Sequence, residues 1–234
     1  MHCARPLGLA ASALILALAP AQAAVLTFDA GPLTTPALCT ADSAGTTAAV
    51  ACSNAGWIGQ DYGDEPGRID VRYHAPRLAG SRSLRWWGSG YNDLWGVLWA
   101  DTDGLGAMAR IDLVPLQASL GVRLQGFDLG AFSNTTLGTH VEVRELSTDT
   151  LLWSYDGLVG QRTPSDATSF AMDLWSARGL RLQWRDDAFN VGLDNLAFDL
   201  EVAPVNGVPE PSGLAALAAM AALGVTRRRR RRQA

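Results

Sequence analysis

The chain has 234 residues, with 19 basic and 23 acidic side chains and a formal net charge of −4. Seven of the basic residues, Arg5 and the six arginines at 227–232, lie near the two ends of the chain, as does one acidic residue, Glu210. Residues 24–207 therefore carry 12 basic and 22 acidic side chains, a net charge of −10. This excess of negative charge argues against nucleic acid and anionic membrane surfaces as partners of the central segment.

The first 23 residues have the organisation of a secretory signal peptide. Arg5 is the only formally charged residue there, residues 7–19 are apolar, and Ala-Gln-Ala at 21–23 provides the small residues of a cleavage site. The apolar stretch is short for a transmembrane helix and is followed by Pro20. The sequence therefore predicts export, with signal peptidase removing residues 1–23.

Three cysteines become two once the signal peptide is removed, because Cys3 leaves with it. Cys39 and Cys52 remain, and a lone pair of cysteines in an oxidising compartment usually forms a disulfide. The alternative is two free thiols. A zinc site is disfavoured because neither cysteine has a histidine nearby.

Residues 24–207 are long enough for one domain, and their pattern is that of an all-β protein. A first strand is predicted at residues 25–28, followed by a loop over residues 29–56 pinned by the disulfide. Apolar and polar residues then alternate with period two between frequent turn residues, as in half-buried antiparallel strands. The apolar members of this series are Ile69, Val71, Tyr73, Val122, Leu124, Val141, Val143, Phe170, Met172, Leu174, Leu180, Leu182, Trp184, Leu196, Phe198, Leu200 and Val202. Nine or ten such strands predict an antiparallel β-sandwich, with a jelly roll as the favoured topology.

A stretch rich in aromatic residues is the main candidate for ligand binding. If Trp86 and Trp87 share a strand, their side chains point to opposite faces, so at most one of them enters the core. An exposed indole offers a flat apolar face and a polar N–H to a sugar ring. Trp86, Trp87 and Tyr91 are therefore candidate carbohydrate-binding residues, and aromatic packing at a corner of the sandwich is the alternative. Trp95 and Trp99 are expected to be buried.

The C-terminal 27 residues combine three elements in order: Val208-Pro209-Glu210-Pro211, an apolar run at 214–225, and the six arginines. The prolines favour an extended connector, the apolar run can enter a bilayer as a helix, and arginines stay on the cytoplasmic side. Fifteen uncharged residues give about 22 Å of helix against roughly 30 Å of hydrocarbon, so this is a weak anchor that suits later removal. The alternative is a basic tail that binds nucleic acid or is disordered.

This tripartite segment, residues 208–234, resembles the PEP-CTERM sorting signal of Gram-negative bacteria, which exosortases recognise. The resemblance implies a precursor held in the inner membrane by its C-terminal segment alone. It also implies later release or attachment at the cell surface or in the extracellular matrix, in association with exopolysaccharide and biofilm material. On this basis the expected function is that of an exported, non-catalytic, carbohydrate-binding-like surface protein.

Two short stretches, at residues 126–130 and 191–198, are similar to strands of many PEP-CTERM ectodomains. The second is also similar to the last strand of galactose-binding-like jelly rolls, which implies a structural calcium ion where the first and last strands meet. Asp194 and Asp29 are the matching candidate ligands, and carboxylate oxygens suit calcium. The alternative is that Asp194 and Asn195 cap a turn or bulge.

An enzyme is disfavoured because no nucleophile elbow, metalloprotease helix or phosphate-binding glycine loop is present in the sequence. Residues 24–207 contain two histidines, His74 and His140, both in strand patterns. A secreted carbohydrate-active enzyme remains the alternative from another class, and a structural or adhesive matrix protein without a small ligand is a third hypothesis.

Overall fold

The computed structural model describes residues 24–29, 36–102 and 106–203. The predicted signal peptide and the sorting signal, including Val208, Pro209, Glu210 and Pro211, lie outside these residues. In the described part of the chain, no helix has the length and hydrophobicity required to cross a membrane.

The described residues form β-strands joined by turns and loops. In chain order the strands are β1 (Ala24–Leu26), β2 (Cys39–Thr40), β3 (Gly56–Ile58), β4 (Ile69–His74), β5 (Arg85–Trp87), β6 (Val97–Trp99), β7 (Ala107–Pro115), β8 (Leu120–Ala131), β9 (Leu137–Glu145), β10 (Leu151–Val159), β11 (Thr168–Ser176), β12 (Leu180–Asp186) and β13 (Val191–Val202).

These strands build two antiparallel sheets that pack as a sandwich, which confirms the predicted all-β fold. One sheet has the order β11-β8-β13-β6-β5-β3-β2, and β1 also pairs with β13 to give eight strands. The other has the order β10-β9-β12-β7-β4. We refer to them as the eight-stranded and the five-stranded sheet.

The last eight strands follow jelly-roll topology. Within the eight-stranded sheet they have the order β6-β13-β8-β11, and the facing strands have the order β7-β12-β9-β10. Consecutive strands therefore mostly cross between the sheets, and the eight strands form the two Greek keys of a jelly roll. The short strands β2, β3 and β5 extend one sheet, and β4 extends the other.

The core lies between the sheets and is filled by the alternating apolar residues. In β4, Ile69, Val71 and Tyr73 are fully buried, whereas Arg72, between two of them, faces solvent. The same alternation buries Leu180, Leu182 and Trp184 of β12, Val141 and Val143 of β9, and Val122 and Leu124 of β8. Burying one Leu-sized side chain stabilises the fold by roughly 1.5–3 kcal/mol, so this pattern is the main driving force for the sandwich.

A bulge in β13 shifts the alternation by one residue. Val191 and Leu193 face the core before it, and Leu196 and Phe198 face the core after it. Asn195 takes a left-handed backbone conformation with φ 53°, which accommodates the extra residue. The expected alternation ends before Val202, which is 74% exposed.

The predicted disulfide between Cys39 and Cys52 is present, with Cα atoms 5.0 Å apart. Both cysteines are buried and pack against the main core. Cys39 begins β2, which pairs with β3, so the bond attaches the predicted loop to the edge of the eight-stranded sheet.

Candidate aromatic binding site

Strand β5 directs its two tryptophans to opposite faces of the eight-stranded sheet, as the alternation of side chains requires. Trp86 faces the core, is 4% exposed, and donates its indole N–H to the Phe28 carbonyl oxygen at 2.9 Å. Trp87 is only partly buried and lies on the outer face. Trp86 is therefore a core residue, which leaves Trp87 as the tryptophan of this pair that a ligand can reach.

Pairing between β5 and β6 brings a second tryptophan to the same face. Trp87 is paired with Val97 and Arg85 with Trp99, so these side chains share the outer face. The Trp87 and Trp99 rings are 6.3 Å apart between centroids and nearly perpendicular, at 74°. This edge-to-face arrangement is one that aromatic pairs prefer, and it fixes the orientation of both rings.

Two turns at the end of the sheet add phenylalanines to the tryptophan pair. Phe132 follows β8, and its ring lies 5.8 Å from that of Trp87. Phe189 lies between β12 and β13, and its ring is 5.0 Å from that of Trp99. The Phe132 N–H donates to the Asn190 carbonyl oxygen at 2.7 Å, so a backbone hydrogen bond holds the two turns together.

Tyr91, in the segment that follows β5, is the fifth aromatic residue of this cluster. It is 3% exposed, its ring centroid is 5.2 Å from that of Phe132, and its hydroxyl donates to the Phe189 carbonyl oxygen at 3.1 Å. Burial, followed by the negative charge of Asp187, raises the pKa of Tyr91 well above its usual value. The phenol therefore stays protonated as a hydrogen-bond donor.

Close packing holds this segment against the sheet. Tyr91 forms a small buried cluster on the outer face with Leu94 and Val97. A Cβ atom added at Gly130 would lie 2.4 Å from the Tyr91 carbonyl oxygen, so only glycine permits this approach of the segment to β8.

These aromatic residues surround a cavity of about 130 Å³, which we call the aromatic cavity. It is lined by Trp87, Tyr91, Trp99, Phe132, Phe189 and Asn190. Phe132 and Phe189 are 37% and 41% exposed, so the cavity is open to solvent at the two turns. An apolar cavity of about 150 Å³ can accept benzene, so the aromatic cavity has room for roughly one six-membered ring.

Polar groups lie beside this apolar cavity. The Asn190 side-chain amide donates to an Asp187 carboxylate oxygen at 2.8 Å. The Arg85 guanidinium lies 5.8 Å from the Trp99 ring centroid and 3.8 Å from that of Trp57, and it donates to the Asp101 carboxylate at 2.8 Å. The arrangement combines an apolar ring site with hydrogen-bonding groups at its margin, which is typical of small-ligand sites.

The sequence identified only part of this site. Trp87 and Tyr91 line the cavity, but Trp86 does not, and the contributions of Trp99, Phe132 and Phe189 were not predicted. The expectation that Trp95 is buried is wrong, because β6 begins only at Val97 and Trp95 is 52% exposed.

Asp194, a predicted calcium ligand, is 1% exposed and connects the first strand region to the last strand. One carboxylate oxygen accepts the Phe28 N–H at 2.9 Å and the Asn195 N–H at 2.7 Å. Burial, with smaller contributions from the charges of Asp29 and Asp128, raises the pKa of Asp194 to about 7.

Asp29, the second predicted ligand, is exposed at the end of the β1 region. Among residues 24–29, 36–102 and 106–203, no group of three or more His, Cys, Asp or Glu side chains is placed to hold a metal ion. Asp194 thus has a structural role as a hydrogen-bond acceptor at the β13 bulge, and calcium binding by Asp29 and Asp194 stays a prediction.

The two histidines lie on the outer face of the five-stranded sheet. His140 is hydrogen-bonded to Glu142 at 2.9 Å, and Arg144 and Gln183 bond to the other oxygen of Glu142. Arg144 foremost, and also His140 and Gln183, lowers the pKa of Glu142 to about 2. Glu142 is therefore ionised and fully engaged at neutral pH, which suits a structural network better than proton transfer.

Comparison with protein-family models gave no match for this chain, and no curated protein matched it either.

Proposed function

We propose that the β-sandwich is a non-catalytic carbohydrate-binding module of an exported protein. The observation that carries the proposal is the aromatic cavity around Trp87, which opens to solvent beside β5. Its size suits a single pyranose ring or a ring substituent. Aromatic rings hold sugars through their C–H surfaces, while the sugar hydroxyls remain available to polar groups at the margin.

One such site gives weak affinity on its own. Aromatic contacts contribute about 0.5–1.5 kcal/mol beyond area burial, which is little for a small ligand. A polymer presents many equivalent rings, so several copies of the protein can bind along one chain. A polysaccharide, such as an exopolysaccharide of the biofilm matrix, is therefore the proposed partner.

Export and C-terminal processing complete the proposal. The disulfide supports an oxidising compartment, because such bonds persist mainly outside the cytosol. Signal peptidase would remove residues 1–23, and an exosortase would process the segment that begins at Val208. Intact-mass measurement of the extracellular protein tests this step: the expected form lacks the arginines at 227–232, and recovery of those arginines contradicts processing.

Retention on immobilised exopolysaccharide tests the binding function. Wild-type protein should be retained, and Trp87→Ala should lose retention. Trp95→Ala is the matched control, because Trp95 is more exposed but does not line the cavity. Equal retention of wild type and Trp87→Ala contradicts the proposed site, and failure of the wild type to bind any extracted polysaccharide favours a structural matrix protein.

The rival hypothesis of a secreted carbohydrate-active enzyme has its own readout. Prolonged incubation of the protein with the same polysaccharide should release no new reducing ends and leave the polymer length unchanged. Cleavage that depends on the added protein contradicts a non-catalytic module.

A further inference from the structure

Arg110, in β7, lies on the outer face of the five-stranded sheet. The other six arginines within strands each form an ion pair with a carboxylate. Arg110 has no ion pair or side-chain hydrogen bond within the described residues, and its Nε is buried without an acceptor. A buried donor without a partner is costly, so Arg110 favours the binding of an acceptor.

A second basic side chain lies directly opposite. The pairing of β4 with β7 places His74 across from Arg110. Like charges at opposed positions are destabilising, so this pair disfavours protonation of His74 unless an anion lies between the two side chains.

The nearby carboxylate of Asp112 does not neutralise Arg110. Arg181 binds both oxygens of Asp112, at 2.8 and 3.2 Å. His74 is 3.9 Å from the same carboxylate.

The pKa of His74 is lowered mainly by burial. The charge of Asp112 opposes this effect, and the positive charges of Arg110, Arg72 and Arg181 add to it. Arg72 and Arg181 are paired with Asp70 and Asp112, so Arg110 is the positive neighbour whose effect on His74 a bound anion would oppose.

A pocket of about 210 Å³ lies between β4, β7 and the loop that joins β4 to β5. His74 and Arg110 line it together with Gly80, Ser81 and Arg82 of that loop. Arg82 and Ser81 are exposed. Arg82 donates from Nε to the Ala79 carbonyl oxygen at 3.2 Å, and its terminal nitrogens together with the Ser81 hydroxyl can contact a bound group. Guanidinium groups match carboxylate and phosphate oxygens in charge and geometry.

We propose that the pocket between His74, Arg82 and Arg110 binds a single oxyanion, a carboxylate or a phosphate, carried by an otherwise neutral ligand. The net charge of −10 over residues 24–207 repels polyanions, so the pocket suits one isolated negative group. This inference is independent of the aromatic cavity, which is lined by different residues.

The histidine ring signals of the purified full chain provide the test. Sodium glucuronate and inorganic phosphate are titrated separately, with sodium chloride adjusted to keep the ionic strength constant. The His74 signals should shift saturably, and the His74 pKa should rise when the anion is bound. The His140 signals are the internal control, because His140 lies outside the pocket, and they should not respond.

Three variants locate the binding. Arg110→Gln should weaken anion binding at least tenfold, and Arg82→Gln, an exposed loop change that leaves the sheet intact, should weaken it several-fold. Arg185→Gln, a partly exposed strand arginine paired with Asp186, should have no effect. A response to glucuronate alone identifies a carboxylate ligand, and a response to phosphate alone identifies a phosphate ligand. The absence of a saturable shift with both anions overturns the proposal, as does unchanged binding by Arg110→Gln and Arg82→Gln.

Discussion

The Asp194 carboxylate accepts the Phe28 backbone N–H at 2.9 Å, while the Phe28 carbonyl oxygen accepts the Trp86 indole N–H, also at 2.9 Å. Both polar backbone groups of Phe28 are thereby bonded to side chains from other strands. This connection ties the β1 region to the last strand and to β5, the strand that carries Trp87. The stability of the fold and the position of the aromatic cavity are therefore linked through Phe28.

The buried Asp194 should make stability depend on pH. The pKa of Asp194 is about 7 in the folded state against an ordinary 3.8, so folding favours the protonated acid. Well below pH 3.8 the carboxyl is protonated in both states, and the free energy of unfolding should fall as pH rises from there towards 7. The loss is on the order of 4 kcal/mol, at 1.36 kcal/mol per pKa unit. Urea unfolding of the full chain at pH 4, 6 and 8 measures it.

Asp194→Asn should remove this pH dependence, because the amide keeps an acceptor for Phe28 but cannot ionise. The variant should match the wild type near pH 4 and exceed it in stability at pH 8. Asp166→Asn, at an exposed loop residue, is the control and should retain the wild-type slope. Parallel pH profiles for wild type and Asp194→Asn would show that burial does not perturb this carboxyl.

Calcium binding by Asp194 and Asp29 has a separate test. A cation at this site would compensate the buried negative charge, so calcium at 100 times its Kd should add about 2.7 kcal/mol to the free energy of unfolding. The Tm of the chelator-treated protein should rise with added calcium, and both Asp194→Asn and Asp29→Asn should reduce the rise. If the Tm does not respond to calcium, the prediction that Asp194 and Asp29 bind calcium is wrong.

The two tryptophans of β5 should differ sharply in their contribution to stability. Trp86→Ala should lower the free energy of unfolding by roughly 3–5 kcal/mol, because it leaves a core cavity and frees the Phe28 carbonyl oxygen. Trp87→Ala should cost less, since the side chain is partly solvated. Chemical unfolding of both variants measures the difference, and equal losses would mean that Trp87 is also a packing residue.

The disulfide should stabilise the sandwich by limiting the unfolded chain. Cys39 and Cys52 are 13 residues apart, and a loop of this size corresponds to about 3 kcal/mol of chain entropy. Replacement of both cysteines by Ala should lower the urea midpoint by a corresponding amount, and reducing agent should affect the wild type but not the variant. Alkylation of both thiols in freshly isolated protein is the result that contradicts a native disulfide.

The local alternation of apolar and polar residues was enough to predict a β-sandwich. It was not enough to predict the order of the strands in the two sheets. The alternation of Ile69, Val71 and Tyr73 with polar residues specifies a strand with one buried face, whatever its neighbours. The strand order depends on pairings between distant segments, such as β7 with β12, and no local pattern encodes them. The sequence offered a turn or bulge at Asp194 and Asn195 only as the alternative to a calcium site. It did not show that the bulge reverses the facing of the residues that follow.

The residues of the aromatic cavity could also be predicted only in part from the sequence. The opposite facing of Trp86 and Trp87 follows from strand geometry alone, but which one faces the core depends on the register of β5 against β6. Phe132 and Phe189 come from distant turns, and only tertiary structure brings them beside Trp87. The available signal was an aromatic residue within each turn sequence, Ala-Phe-Ser-Asn at 131–134 and Ala-Phe-Asn at 188–190.

The indole N–H signals of the protein give the most direct test of a carbohydrate site at the aromatic cavity. The purified full chain is titrated with oligosaccharide fragments of the exopolysaccharide while the tryptophan side-chain resonances are followed. The Trp87 and Trp99 signals should move saturably, and those of Trp86 and Trp184, both in the core, should stay fixed. Saturable binding that leaves Trp87 and Trp99 unmoved, or no binding at any accessible concentration, would contradict the account.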